Sequence, residues 1–176
     1  MRGLESIAMA IINPEIINTI YANAHNLELC HNLISQLSDD DISEEGFTLA
    51  TLIAGTNNSN LIKYAHESLK LDFVKCDKYG YTALHLAAKF NQIVSLKYIC
   101  ENTDIDIELK TNTGYTPLIC AAGYGELELI KYLVLEQNAN VHVKSYSGKS
   151  LDYYSKNNPA QEVQNYITHL LGHSHV

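Results

Sequence analysis

Basic residues are scarce in this chain of 176 residues, which has twelve Lys and Arg against twenty Asp and Glu and a formal net charge of −8. Binding to a phosphate backbone requires clustered Lys and Arg, and the basic residues here are scattered along the sequence. The composition therefore argues against a nucleic-acid partner.

Cysteine is also sparse, and its spacing excludes the common cysteine chemistries. Cys30, Cys76, Cys100 and Cys120 include no C-x-x-C pair and no spacing typical of a zinc site. We expect reduced thiols in a cytoplasmic protein.

Long hydrophobic runs are missing as well. The apolar run from Ile7 to Ile12 is bounded by Glu5 and by Asn13-Pro14, so it is too short for a signal peptide or a membrane span. We interpret it as one face of a helix and expect no membrane partner. The absence of Trp and the wealth of Asn, Ile and Tyr indicate an AT-rich genome, which bears on codons and not on function.

The chain does contain enough apolar residues for a folded domain. Hydrophobic residues make up 46% and charged residues 18%, a balance typical of globular proteins. The length suits one domain with a substantial core, so residues 1–176 are expected to form a single unit.

An internal repeat organises the sequence. Four glycines are separated by 34 residues each: Gly46, Gly80, Gly114 and Gly148. Four dipeptides recur with the same offset: Lys63-Tyr64, Lys97-Tyr98, Lys131-Tyr132 and Asn165-Tyr166. Two independent markers in one register establish the repeat.

Each unit predicts the same pair of helices. The glycine suits a tight hairpin turn, and a hydroxyl residue follows two positions later to cap a helix: Thr48, Thr82, Thr116 and Ser150. Pro117 follows at a first helical position. An alanine-rich apolar helix, a polar turn and an amphipathic second helix complete the unit. We predict helices over 48–55, 60–69, 82–89, 93–101, 116–123 and 127–136.

The segments "GYTALHLAAKFNQIVSLKYI" and "GYTPLICAAGYGELELIKYL" resemble the ankyrin repeat. The resemblance implies an all-α ankyrin-repeat solenoid of stacked helix-turn-helix units with projecting hairpin loops. Its expected parts are an N-terminal helical cap at 4–38, three repeats at 44–76, 77–110 and 111–144, a degenerate capping repeat at 145–171 and a tail at 172–176.

Two features depart from the family pattern. The period is 34 instead of 33, and the extra residue falls near the end of the second helix, around 100–104 and 134–138. The usual turn glycine before the hairpin is replaced by Thr103-Asp104 and Gln137-Asn138. Because Asn and Asp tolerate left-handed conformations, we expect the turn to form without glycine.

Residues that resemble catalytic groups have structural interpretations. His85 is expected to bond the backbone of neighbouring repeats, as the resemblance implies, since no acid or thiol is placed to partner it. Gly123-Tyr124-Gly125 follows a helix and lacks the third glycine of a dinucleotide motif. Cys100 and Cys120 are expected in the core and Cys76 at the surface. We predict no enzyme activity, no catalytic residues and no cofactor.

No metal site is predicted. His169, His173 and His175 could bind a metal opportunistically, but a frayed tail is the preferred interpretation. The run Asp39–Asp41 lacks the glycine and terminal glutamate of a calcium loop and is interpreted as a solvated acidic loop.

Aromatic residues supply the candidate binding surface. In ankyrin proteins the hairpin tips and the end of the first helix usually contact the partner, and the resemblance places the following residues there: Phe47, Lys78, Tyr79, Tyr81, Lys89, Phe90, Asn112, Tyr115, Tyr124 and Tyr146. Tyrosine is enriched at interfaces because it offers large area with few rotors to freeze.

Two alternatives to a binding surface remain open for these residues. Phe47, Tyr81 and Tyr115 recur at one position, so they could stack on one another as part of the scaffold, and codon bias also raises the tyrosine content. The tyrosines at 64, 98, 132 and 166 are expected to pack on the core side of the second helix.

We therefore expect a monomeric protein-interaction module that binds another protein through a concave surface and has no small-molecule substrate. One alternative is a regulatory inhibitor that occludes an enzyme or transcription factor. Another is a bacterial effector acting in host cytosol, and a third is an enzyme with a Cys–His or metal site, for which the sequence offers no constellation.

Overall fold

The structure is a computed structural model that describes Thr19, residues 26–34 and residues 48–172. Within these residues the regular structure is mainly helical, and Lys144 and Ser150 form an isolated antiparallel bridge. The helices are α1 (Leu27–Ile34), α2 (Leu49–Ala54), α3 (Ser59–Glu67), α4 (Ala83–Lys89), α5 (Ile93–Asn102), α6 (Pro117–Tyr124), α7 (Leu127–Lys131, continued by a π-helical turn over Tyr132–Glu136), α8 (Leu151–Ser155) and α9 (Gln161–Gly172).

Several sequence predictions lie outside the described residues. These are Gly46, Phe47, the acidic run Asp39–Asp41, the histidines 173 and 175, and most of the proposed cap at 4–38. The six predicted helices between 48 and 136 agree with the structure to within two residues at each end.

The hydroxyl residues begin the first helix of each unit, as predicted. The Oγ1 atom of Thr48 accepts a hydrogen bond from the amide of Thr51 at 3.2 Å, and that of Thr116 accepts one from the amide of Ile119 at 3.3 Å. Pro117 stands at the first position of α6, where its missing N–H leaves no bond unmade.

Thr82 and Ser150 also stand at N-cap positions, but Thr82 forms a capping box with His85 and the side chain of Ser150 makes no capping hydrogen bond. The predicted cap is therefore complete in two of the four units.

Consecutive first helices pack directly on one another, α2 on α4, α4 on α6 and α6 on α8. Their facing side chains are buried: Leu84, Ala87, Ala88, Leu118, Ala121 and Ala122. The alanines allow the backbones to approach closely, and the second helices cover the layer from the other side. The core therefore runs continuously through the stack, as in a solenoid.

The hairpins before each first helix lie side by side. Gly80, Gly114 and Gly148 adopt φ of +82°, +83° and +76°, which glycine tolerates without strain. The amide of Asn112 donates to the carbonyl of Tyr79 at 2.9 Å, and the amide of Tyr146 donates to that of Thr113 at 3.1 Å. Backbone hydrogen bonds thus connect three successive hairpins into a row.

The extra residue of the 34-residue period is accommodated differently in successive units. In the third unit α7 widens into the π-helical turn, and Asn138 then adopts the left-handed conformation with φ of 56°. In the second unit α5 ends on extended Thr103, whose hydroxyl donates to the carbonyl of Ile99 at 2.7 Å, and the turn forms without a left-handed Asp104. The first unit also turns through a left-handed residue at the matching position, Lys70 with φ of 56°, so the second unit is the exception among the three repeats.

His85 connects two repeats through its buried ring. Its Nδ1 atom accepts a hydrogen bond from the amide of Thr82 at 3.2 Å. Its Nε2 atom lies 3.0 Å from the carbonyl oxygen of Leu109 and 2.9 Å from that of Tyr115, so Nε2 carries the proton and donates. The structural role predicted for His85 is confirmed.

This burial predicts a pH-dependent stability. Desolvation lowers the pKa of His85 from its ordinary 6.5 to about 4, although the two carbonyl acceptors oppose the shift. The unfolded chain therefore binds a proton below pH 6.5 while the folded chain does not, so the free energy of unfolding should fall by about 2 kcal/mol between pH 7 and pH 5. Urea unfolding at a series of pH values measures this.

The matched control for this prediction is His85→Ile, since Ile119 occupies the same position in the next repeat. The free energy of unfolding of this variant should fall less between pH 7 and pH 5, because only the other titrating groups still contribute. An equal fall in the two proteins would show that folding does not lower the pKa of His85.

Candidate partner-binding groove

A groove of about 270 Å³ opens between the hairpins and the C-terminal ends of α4, α6 and α8. Five tyrosines line it: Tyr81, Tyr115, Tyr124, Tyr153 and Tyr154. Two lysines and four smaller residues complete the lining: Lys89, Lys149, Ile119, Cys120, Gly123 and Asn157. The walls are therefore aromatic, and among the described lining residues the ionised side chains are all cationic.

The floor of the groove is formed by α6. Cys120 is buried there, and this burial raises the pKa of its thiol to about 12, so it is not a reactive thiolate. Gly123 leaves space above the helix, since a Cβ atom at that position would meet only the carbonyl oxygen of Tyr154 at 3.9 Å. The glycine keeps the groove open.

The tyrosine walls are held by edge-to-face contacts and hydrogen bonds. The ring centroids of Tyr115 and Tyr154 are 5.1 Å apart, and those of Tyr153 and Tyr154 are 5.4 Å apart. The hydroxyl of Tyr154 donates to the Oγ atom of Ser145 at 2.9 Å. Burial raises the pKa of Tyr81 to about 12, so its hydroxyl is neutral at physiological pH. The walls thus present fixed rings with neutral polar edges.

Each lysine of the groove lies over an aromatic ring. The Nζ atom of Lys89 is 5.1 Å from the centroid of Tyr81 and 5.8 Å from that of Phe90. The Nζ atom of Lys149 is 4.2 Å from the centroid of Tyr153 and donates to the hydroxyl of that residue at 2.8 Å. These cation–π contacts position two ammonium groups at the rim of the groove.

The structure places the predicted surface residues in three locations. Tyr81, Lys89, Tyr115 and Tyr124 line the groove. Phe90 is exposed directly beside Lys89 at the end of α4. The remaining described residues lie at the hairpin tips, outside the lining: Lys78, Tyr79, Asn112 and Tyr146.

At the hairpin tips the predicted residues also contact one another. Lys78 lies over the ring of Tyr79 at 5.0 Å, and the side chain of Asn112 donates to the carbonyl of Lys78 at 2.9 Å. The ring of Tyr146 covers Gly114 of the preceding hairpin. The Nζ atom of Lys110 lies 5.6 Å from the centroid of the Tyr146 ring. The tips therefore form a second aromatic and basic surface next to the groove.

The ring contacts of Tyr81 and Tyr115 bear on whether these residues stack on one another as part of the scaffold. The ring centroids of Tyr81 and His85 are 5.9 Å apart, whereas Tyr115 contacts the ring of Tyr154. Both tyrosines are half-buried against the core and also line the groove. In the described part of the chain these two rings support the fold and shape the groove without stacking on each other.

Sequence reasoning missed Tyr153, Tyr154 and Asn157. They belong to the fourth unit, whose pattern is degenerate and shorter by one residue. A signal was present, because Tyr154 occupies the position that Cys120 holds in the third unit, 34 residues earlier. The two residues line the same groove from neighbouring helices.

The described residues contain no group of three or more His, Cys, Asp or Glu side chains arranged to hold a metal ion. Over the same residues, no helix combines the length and apolar character needed to cross a membrane.

The stacked helix pairs and the row of hairpins define a helical repeat protein with an open aromatic groove. Residues 19–111 match the family model for ankyrin repeats in three copies, and residues 113–146 match that for a single ankyrin repeat. The chain belongs to the ankyrin-repeat family. Comparison with curated proteins finds no match. Ankyrin repeats are generally protein–protein interaction modules, which makes a protein the expected class of partner.

Proposed function

We propose that this protein binds a partner protein through the tyrosine groove and the adjoining hairpin tips, and that it performs no catalysis. The observation that carries the proposal is the uneven exposure of the aromatic residues. Every exposed aromatic side chain among the described residues lies in a hairpin or at a first helix: Tyr79, Phe90, Tyr124, Tyr146 and Tyr153.

The tyrosines of the second helices are on the whole less exposed than those of the hairpins and first helices, and codon bias does not explain this difference. The second-helix tyrosines are half-buried at 64, 98 and 166 and buried at 132. A bias in codons would raise tyrosine equally on both sides of the solenoid. Exposed aromatic residues confined to one face are typical of a binding surface.

Tyr124 is the residue whose truncation tests this proposal most directly. Its side chain is 68% exposed and lines the groove, so removing it leaves no cavity in the core. We expect Tyr124→Ala to weaken partner binding by more than ~1 kcal/mol, several-fold in Kd, with nearly unchanged thermal stability. The measurement is quantitative capture from lysate by wild type and variant, followed by titration of the captured partner.

Tyr132→Ala should behave in the opposite way. Tyr132 is 3% exposed, and its hydroxyl accepts a hydrogen bond from the side chain of Gln137 at 2.9 Å. Its loss should lower stability by about 3–5 kcal/mol, while the folded fraction still binds the partner.

Gly123→Met is a second variant that tests the groove. The larger side chain would enter the groove and exclude a ligand, so we expect it to weaken binding.

The control is Leu135→Ala, at a residue that is 65% exposed on the second-helix side. It should change neither binding nor stability. Normal binding by Tyr124→Ala and Gly123→Met, together with loss of binding in Lys97→Glu on α5, would place the partner on the opposite surface and contradict the proposal.

A further inference from the structure

The ionised residues are divided unequally between the two sides of the solenoid. We define the hairpin face as hairpins 75–82, 109–116 and 143–150 together with helices α2, α4, α6 and α8. It carries six lysines and two aspartates. We define the outer layer as the second helices with their following loops, at 59–74, 93–108, 127–142 and 161–172, and it carries four lysines and nine carboxylates. The acidic net charge of the chain is therefore not shared by the hairpin face.

Both aspartates of the hairpin face are engaged within the protein. Asp77 is 5% exposed, and its Oδ1 atom accepts hydrogen bonds from the amides of Tyr79 and Tyr81, each at 2.8 Å. The Oδ2 atom of Asp152 pairs with the Nζ atom of Lys156 at 2.7 Å. The Oδ2 atom of Asp77 is buried without a hydrogen-bond partner, so burial keeps this carboxylate from a ligand, while the carboxylate of Asp152 is paired.

Three lysines of the hairpin face lie over aromatic rings with no carboxylate at ion-pair distance, although the buried carboxylate of Asp77 attracts Lys89 electrostatically. Within residues 48–172, Lys89, Lys110 and Lys149 form no ion pair, and each lies over a ring, of Tyr81, Tyr146 and Tyr153 respectively. On the outer layer Lys97 pairs with Glu128 at 3.9 Å, whereas Lys131 likewise forms no ion pair within the described residues. The hairpin face thus holds ammonium groups over aromatic rings with no ion-pair partner in the described part of the chain.

Building on the proposed function, we propose that the occupant of the groove is an acidic protein segment that carries a large apolar side chain. The apolar side chain fits between the tyrosines over Gly123, and flanking Asp or Glu carboxylates reach Lys89 and Lys149. Carboxylates accept charge-assisted hydrogen bonds from lysine, and the neutral tyrosine hydroxyls at the edge can donate further ones.

The net charge of −8 does not prevent this association. At physiological ionic strength the Debye length is about 8 Å, so charges of the outer layer are largely screened from a segment seated in the groove. The lysines at the rim act over contact distances and are screened much less. A duplex nucleic acid would extend beyond the groove toward the acidic outer layer, and two rim lysines neutralise few phosphates.

Selection from a displayed library of random short peptides against the full chain tests the proposal. We expect the selected peptides to share Asp and Glu on either side of an aromatic or aliphatic residue. The double variant Lys89→Gln/Lys149→Gln should weaken binding of the consensus peptide about tenfold or more, and should flatten its dependence on salt between about 0.05 M and about 0.5 M.

The matched control is Lys97→Gln/Lys131→Gln. These lysines also lie over tyrosine rings, those of Tyr132 and Tyr166, but on the outer layer. The control double variant should bind the consensus peptide within about twofold of wild type. Thermal melting of both double variants verifies that each is folded.

The outcomes separate this inference from the proposed function. A neutral or basic consensus whose binding is lost in Tyr124→Ala would overturn the acidic preference and leave groove binding intact. Peptides whose binding is unaffected by Tyr124→Ala would contradict groove binding itself. Failure to enrich any peptide, or tighter binding of a single-stranded oligonucleotide than of the acidic consensus, would also overturn the inference.

Discussion

Replacing Leu118 with alanine is expected to lower the free energy of unfolding by about 2–5 kcal/mol. Leu118 is 1% exposed and lies in α6, which packs between α4 and α8 in the layer of first helices. Truncation removes methyl groups from this contact and leaves a cavity that short, alanine-packed helices cannot close. Urea unfolding followed by circular dichroism measures the change.

The companion variant Ala121→Leu tests the same contact in the opposite direction. Ala121 is fully buried, so added methyl groups must displace a neighbouring helix, at a cost of about 1–3 kcal/mol. Leu135→Ala, at an exposed position, should stay within about 0.5 kcal/mol of wild type. If Leu118→Ala unfolds like the parent protein, the assignment of α6 to the centre of the stack is incorrect.

The fold was predictable because each unit repeats the same local signals. The hairpin glycine, the capping threonine two residues later and the alanine pair act within a few residues of one another, so the sequence alone exposes them. His85 was assignable for the same reason, since its partners lie in the next copy of the same hairpin. Repetition turns contacts between units into a sequence pattern.

The ends of the second helices were less predictable. The sequence places one extra residue near the end of each, but the structure accommodates it in two different conformations. Gln137 follows a π-helical turn that leads to left-handed Asn138, whereas Thr103 leaves α5 in an extended conformation. Which one forms depends on contacts with the following hairpin, which local propensity does not report.

The groove was predictable only in part. Tyr81, Tyr115 and Tyr124 stand at positions that recur between clear repeats. Tyr153 and Tyr154 stand in the degenerate fourth unit, where the pattern no longer identifies which side chains face the hairpins. The pairing of Lys149 with Tyr153 likewise arises from the way α8 starts close behind its hairpin. The sequence offered one clue to this part of the groove, since Tyr154 occupies the same repeat position as Cys120.

The row of hairpins leads to the other large expected effect. Gly114 adopts φ of +83°, and an added Cβ atom would lie 2.8 Å from the Cγ atom of Tyr146 and still closer to the backbone nitrogen of that residue. Alanine there incurs left-handed strain and must break the hydrogen bond from the amide of Tyr146 to the carbonyl of Thr113. We expect Gly114→Ala to cost about 2–4 kcal/mol.

Gly148→Ala is the matched control, because Gly148 has nearly the same φ, +76°, but nothing lies within 4 Å of an added Cβ atom. It should cost about 1–2 kcal/mol from left-handed strain alone. Urea unfolding measures both variants, and amide hydrogen exchange should speed up at Tyr146 only in Gly114→Ala. Equal costs would show that neighbouring hairpins adjust independently. An excess cost at Gly114 would show that the hairpin tips are coupled, because the preceding hairpin then holds the backbone of Tyr146 in place.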